Sequence, residues 1–214
     1  MPTVYTVITN HYDKLKEPTF VTPGWEYVCL TDDDTINSDV WTIKKTTAHN
    51  RYLKINALFD GLTLYVDGSI EITGDLNEFI AEVPRVFTIW RHPARTCTFT
   101  EAEAVIKLKG MNPNEVYKQM QRYAMDGFPR NYGLGQNAIM LRDLSDKRVR
   151  DICDVWWKEW EAGVKRDQLS LIYSFWKLGY YPDFIEQNVI NKYFIWHNHE
   201  SRNLNNRQQG SQRV

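Results

Sequence analysis

Apolar residues recur along the chain with two different periods, which predict strands and helices in turn. Short apolar runs predict strands at 4–9, 26–31, 41–44, 62–66, 86–90 and 136–142. Apolar positions at helical spacing predict helices at 49–59, 76–81, 100–109, 115–125, 151–161 and 166–178. Because strands alternate with helices in the first half, the pattern indicates an α/β fold with a mainly parallel sheet and a more helical second half.

Two of the predicted helices begin with capping signals. Thr100, with Glu103 three residues later, fits a capping box at the start of the helix at 100–109. Asn112 is expected to cap the helix at 115–125. Both signals place helix starts in the middle of the chain.

Length and composition fit one globular domain. With 214 residues, 43% of them hydrophobic, the chain can bury a sizeable core. No low-complexity linker divides it, so we expect a single domain over 1–202. From 203 to 214 the chain is rich in Asn, Gln, Gly and Arg, which predicts a disordered polar tail.

Charge and cysteine content limit the functional classes. A net charge of −1 gives no global attraction to nucleic acid. Cys29, Cys97 and Cys153 lack metal-type spacing, which argues against a disulfide framework and favours a reducing compartment. The chain opens without a basic leader and an apolar segment, and no run is long enough to span a bilayer. We therefore expect a cytoplasmic protein without a membrane partner, in the host cytoplasm if it is viral.

The strongest local signal is the strand at 62–66, which runs directly into Asp67 and Gly68. In open α/β sheets, ligands bind at the carboxyl ends of the strands. Gly68 allows a tight turn there, and a carboxylate suits Mg²⁺ or Mn²⁺. The alternative is an aspartate that only caps a turn.

Two further segments place charged residues where ligands are expected. His92 and Arg95 follow the strand at 86–90, where they can contact a diphosphate or sugar hydroxyls. Asp167 stands at the start of a helix, whose dipole favours the ionised carboxylate. It could accept a proton from an acceptor or bind sugar hydroxyls. The alternatives are ordinary surface charge and helix capping.

A pair of histidines near the end of the chain offers further metal ligands. His197 and His199 point to the same side only if the segment is extended. One of them as a ligand of the metal at Asp67 is thus more plausible than both. The alternative is a polar terminal segment in which neither has a role.

These segments occur together, in order, in a known family. The order runs from 5–13 through 65–70 and 92–97, with Glu101, to 166–170. In this the chain resembles the glycosyltransferase-like family of plant mucilage-related transferases, which has bacterial and phage relatives. The resemblance implies a nucleotide-diphospho-sugar transferase fold of GT-A type.

The resemblance also assigns residues. It implies that Asp67 is the metal or donor aspartate and that Asp67, Glu101 and Asp167 serve catalysis. Two blocks carry over to this sequence, and they consist of His92, Arg95 and Glu101 and of Arg166, Asp167 and Gln168. The stretch from Asp67 to Ser69 departs from the family's usual Asp-x-Asp element because it lacks the second carboxylate.

The resulting hypothesis is a glycosyltransferase that uses a nucleotide-diphosphate sugar as donor and Mn²⁺ or Mg²⁺ as cofactor. The acceptor stays open among a modified DNA base, a glycan and a protein. Further donor contacts are expected from Thr9, Asn10, Tyr12 and Asp32 at the nucleoside, from Arg51 and Lys54 at the phosphates, and from Gly68 and Ser69. The main alternative is a non-catalytic protein of the same fold that binds a nucleotide sugar or a glycan.

Overall fold

A computed structural model describes residues 1–199 of the chain. Its strands are β1 Thr3–Ile8, β2 Glu26–Thr31, β3 Thr42–Lys45, β4 Leu62–Val66, β5 Ile70–Ile72, β6 Phe87–Arg91, β7 Gly135–Asp143, β8 Asp183–Ile185 and β9 Phe194–Trp196. Its helices are α1 Asn50–Asn56, α2 Leu76–Glu82, α3 Thr98–Lys109, α4 Pro113–Met125, α5 Lys147–Ala162, α6 Gln168–Lys177 and α7 Gln187–Tyr193.

Seven strands form the central sheet, in the order β3-β2-β1-β4-β7-β6-β8. The pairs from β3 to β4 and the pair β6–β8 are parallel, whereas β7 runs antiparallel to both of its neighbours. β5 and β9 pair in a small antiparallel sheet. The predicted α/β class, with a mostly parallel sheet in a single Rossmann-like domain, is confirmed.

Both faces of the central sheet are buried, which explains why its strands are continuous apolar runs. In β1, Val4 belongs to the core cluster on one face and Tyr5 to the cluster on the other. In β4, Leu64 and Tyr65 divide in the same way. The functional side chains described below therefore lie at the edge of the sheet and not on its faces.

Some local predictions differ from the structure. The capping box at Thr100 is wrong, because α3 begins at Thr98 and the Thr100 hydroxyl donates to the carbonyl of Cys97 instead. The cap at Asn112 is confirmed, since its side chain accepts from the N–H of Asn114. The helix predicted from 151 begins a full turn earlier, where Asp146 caps it.

Four short elements were not predicted, namely β5, β8, β9 and α7. The tail predicted at 203–214 lies outside the described residues. Within residues 1–199, no helix is both long and apolar enough to cross a membrane. Cys29, Cys97 and Cys153 are buried and free.

Candidate active site

A cavity of about 480 Å³ opens at the carboxyl ends of β1 and β4. Its wall includes residues of α1 and α3, the start of α6 and the loop after β6. Of the predicted site residues, those that line it are Thr9, Tyr12, Arg51, Lys54, Asp67, Gly68, His92, Arg95, Glu101, Arg166, Asp167, Gln168 and His199. This is the edge at which an open α/β sheet is expected to bind a ligand.

Helix α1 presents two cations to the cavity. Arg51 and Lys54 stand three residues apart and so share one face of the helix. The Lys54 ammonium lies 3.2 Å from Oδ1 of Asp67 and 3.0 Å from Oδ2 of Asp167. Arg51 Nε is 3.9 Å from Oδ1 of Asp167. Lys54 is only 3% exposed, so the partners of its ammonium are these two carboxylates and not bulk water.

Asp167 is ionised because cations surround it. Burial alone would raise its pKa, since the side chain is buried, but Lys54, Arg51 and Arg166 together hold the pKa well below its usual range. In return, Asp167 raises the pKa of Arg51 above its usual range. Asp167 is the N-cap residue of α6, yet its side chain makes no capping hydrogen bond. The nearby cations, and not helix capping, account for the charge.

Asp67 directly follows β4 and begins a tight turn, in which its carbonyl accepts from the N–H of Ile70 at 2.8 Å. Its carboxylate does not cap this turn. Instead, Oδ1 accepts a 2.5 Å hydrogen bond from the Tyr65 hydroxyl and pairs with Lys54. Burial and Asp67 raise the pKa of Tyr65 well above its usual value, so this hydroxyl stays a donor. The carboxylate is thus fixed in the cavity wall.

Glu101 joins the loop after β6 to the start of α6. It is only 2% exposed. Arg95 Nε lies 2.5 Å from its Oε2, and Arg166 Nη2 lies 4.0 Å from its Oε1. Arg166 also donates to the side-chain oxygen of Gln168. One buried carboxylate therefore brings together residues of both predicted blocks.

The imidazole of His92 lies in the loop after β6 and accepts hydrogen bonds from its main chain. Its Nδ1 accepts from the main-chain N–H groups of Ala94 and Arg95, both at 3.1 Å, and Nη2 of Arg95 lies 3.0 Å from its Nε2. Burial and the charge of Arg95 lower the pKa of His92, against the opposing effect of Glu101. The imidazole therefore shapes this loop as a hydrogen-bond acceptor.

The chain matches a known family over most of its length. Residues 56–209 match the family described as TOD1/MUCI70, glycosyltransferase-like domain. The chain belongs to this family. The match includes Asp67, Glu101 and Asp167, and it begins after Arg51 and Lys54. A comparison with curated proteins gives no match. Membership in the TOD1/MUCI70 family supports a general glycosyltransferase function, with a sugar donor and an acceptor.

Other predicted contacts of this TOD1/MUCI70 domain lie beside the cavity. The N–H of Asn10 donates to both oxygens of Asp32, at 3.0 and 3.2 Å, so this pair fixes the loop after β1. Neither residue lines the cavity, and neither does Ser69, which is 1% exposed. Gly68 does line it, and a Cβ there would lie 3.0 Å from Ile8 Cγ1. A larger residue there would require the Ile8 side chain to shift.

Each of the two histidines predicted as metal ligands pairs with a carboxylate other than Asp67. His199 Nδ1 lies 2.9 Å from Oδ2 of Asp13. His197 Nε2 lies 2.7 Å from Oε2 of Glu71, and His197 does not line the cavity. Among residues 1–199, no three His, Cys, Asp or Glu side chains form a group that could hold a metal ion. Oδ1 of Asp67 already pairs with the Lys54 ammonium. The residues present therefore do not fit a metal ion held by the protein.

Asn137, on β7, is a cavity residue that sequence reasoning missed. It is 3% exposed, and neither polar atom of its amide has a hydrogen-bond partner within residues 1–199. Buried polar groups are almost always paired, so an unpaired amide in a cavity wall points to a ligand. Its only signal in the sequence is an asparagine inside an apolar strand, where asparagine is depleted.

Proposed function

We propose that this protein transfers a sugar from a nucleotide-diphosphate sugar to an acceptor hydroxyl, on a fold of GT-A type. One observation carries the proposal. Asp67 and Asp167, which the family resemblance marks as functional, share the ammonium of Lys54 in a single cavity at the ligand edge of the sheet. A family of glycosyltransferase-like domains and a charged cavity of this kind support the same activity.

The cavity's charge suits a diphosphate. Cations outnumber carboxylates among its lining residues, which are Arg51, Lys54, Arg95, Lys109 and Arg166 against Asp13, Asp67, Glu101 and Asp167. Guanidinium groups bind phosphate oxygens through paired hydrogen bonds. Negative charge develops on the diphosphate as it leaves the sugar, and fixed cations around it would lower the energy of that transition state.

Asp167 suits the recognition of hydroxyl groups better than proton transfer. A general base works best when its pKa is near the working pH, whereas cations hold the pKa of Asp167 well below its usual range. A carboxylate that stays ionised is a strong acceptor for hydrogen bonds from sugar hydroxyls. We therefore assign Asp167 to the sugar, and Asp67 with Lys54 to the edge of the site where the diphosphate binds.

The test is turnover of nucleotide sugars, followed by mass spectrometry. The donors are UDP-glucose, UDP-galactose and GDP-mannose, and the acceptors are hydroxymethylated DNA, oligosaccharides and peptides. We expect Asp67→Asn to lower transfer and donor hydrolysis at least about 100-fold, with a nearly unchanged melting temperature. Asp151→Asn, at a partly exposed position on α5 paired with Lys147, is the matched control.

Two results would count against the proposal. Normal turnover by Asp67→Asn would show that this carboxylate has no part in the reaction. Donor binding without any turnover by the wild-type protein would favour the alternative of a non-catalytic nucleotide-sugar binding protein.

A further inference from the structure

The Lys54 ammonium lies beside the carboxylate of Asp67, which the sequence predicts to be a metal ligand. Its ammonium lies within salt-bridge distance of Asp67 and Asp167 at the same time, at 3.2 and 3.0 Å. The ring of Tyr65 adds a cation–π contact, with the ammonium 5.0 Å from the ring centroid. Three groups thus fix one positive charge between the two carboxylates.

This charge opposes a divalent cation at the same place. A metal ion bound to Asp67 would lie beside the ammonium, and like charges at such short separation repel each other strongly where water is scarce. Lys54 is almost fully buried, so solvent would screen that repulsion little. The ammonium could yield to the metal only by leaving the buried carboxylate of Asp167 and the partly exposed carboxylate of Asp67.

The remaining ligands of a metal site are also engaged. His199 is paired with Asp13, and His197 with Glu71. The aspartate turn lacks the second carboxylate, because Ser69 stands where the usual element has an acid, and Ser69 is 1% exposed outside the cavity lining. Within residues 1–199, the side chains around Asp67 therefore supply fixed cations and no group of three metal ligands.

From this arrangement we infer that Lys54, assisted by Arg51, takes the place of a divalent cation and binds the donor diphosphate, so that the donor binds without metal. The inference rests on the proposed function and names how that site holds its donor. Arg51 lies beside the same carboxylate, with Nε 3.9 Å from Asp167. Both cations come from one face of α1, so a short helix delivers the positive charge that a bound metal would otherwise provide.

The first experiment uses the wild-type protein. Isothermal titration calorimetry with UDP-glucose, GDP-mannose and the corresponding nucleoside diphosphates is performed in buffer with EDTA and in buffer with MnCl₂. We expect the dissociation constant of the bound donor to agree within about threefold between the two buffers. In free energy this difference is well below the roughly 1.4 kcal/mol that a tenfold change represents. A loss of tenfold or more in EDTA would overturn the inference and leave the proposed function standing. Absence of binding in both buffers would overturn both.

The second experiment assigns the effect to Lys54. We expect Lys54→Met to weaken donor binding in EDTA by at least about tenfold, as expected for the loss of a charged hydrogen bond, and Lys54→Arg to retain most of it. Lys147→Met, which removes an exposed lysine on α5, is the control of equal charge. Wild-type affinity in a folded Lys54→Met would overturn the inference. If Lys54→Met does not fold, the donor affinity of Lys54→Arg in EDTA is compared with that of wild type. A tenfold loss of affinity in Lys54→Arg would then count against the inference that the positive charge alone binds the donor.

Discussion

Arg142 donates a 2.7 Å hydrogen bond from its guanidinium to the main-chain carbonyl of Ile55. A second guanidinium nitrogen donates to the carbonyl of Lys54 at 2.9 Å, and the Tyr5 hydroxyl donates to the same carbonyl at 3.1 Å. Carbonyl groups in the last turn of a helix have no partner within the helix. Arg142, which is 0% exposed, therefore binds the end of α1 to β7 and fixes the backbone of Lys54.

The first prediction concerns this buried guanidinium. Arg142→Met keeps much of the side-chain volume but leaves the buried carbonyl of Ile55 without the Arg142 donor and the carbonyl of Lys54 with the Tyr5 hydroxyl alone. We expect the free energy of unfolding to fall by about 2–4 kcal/mol, measured by urea denaturation. Arg148→Met, at an exposed residue paired with Asp146, should change it by less than about 1 kcal/mol. An Arg142→Met protein as stable as wild type would show that α1 needs no such anchor.

Arg142 also shows what the sequence could not predict. It stands at the end of the strand predicted at 136–142, where a charged residue is ordinarily exposed. It is buried because the open end of α1 supplies acceptors, and α1 lies far from it in the sequence. The partners of Lys54 could not be predicted either. The sequence predicts a phosphate contact for Lys54, but it gives no sign that its ammonium bridges Asp67 and Asp167.

What the sequence predicted well depends on burial. The strands at 4–9, 26–31 and 62–66 were found because both sheet faces are covered, which makes the runs strongly apolar. By contrast, β5, β8 and β9 have three residues each, too few for any periodicity to be visible. Most of the expected site residues line the cavity, whether they follow a strand, as Asp67 does, or lie on a helix, as Lys54 does. Asn10, Asp32, Ser69 and His197 do not line it: Asn10 pairs with Asp32 on the loop after β2, and His197 pairs with Glu71 on β5.

The second prediction is a pH dependence caused by His92. Burial and Arg95 lower its pKa in the folded protein, whereas the unfolded chain titrates near about 6.5. Between these two values the unfolded chain binds more protons, so the free energy of unfolding rises with pH and falls on acidification below about 6.5. Asp167 does not contribute in this range, because its lowered pKa affects stability only in stronger acid.

The check is a comparison of unfolding free energies at several values between pH 5 and 8 for wild type and His92→Asn. The asparagine oxygen can replace Nδ1 as the acceptor for the N–H groups of Ala94 and Arg95, but it does not titrate. We expect a smaller loss of stability on acidification in the variant. The other histidines are present in both proteins, so they cancel in the comparison. Equal pH profiles would contradict the assignment.

The last prediction uses the unpaired amide of Asn137 to separate a structural role from ligand recognition. Leucine has nearly the same size and carries no polar atoms, so Asn137→Leu removes two buried groups that have no partner within residues 1–199. If these groups wait for a ligand, the unliganded variant should be more stable than wild type by about 1–2 kcal/mol. The same variant should bind UDP-glucose or GDP-mannose about tenfold more weakly, while the affinity for the nucleoside diphosphate stays unchanged. Asn114→Leu, at an exposed position on α4, controls for the change in polarity. Destabilisation together with unchanged sugar binding would show that the amide serves the fold alone, because a side chain kept only for its ligand cannot cost stability when it is removed.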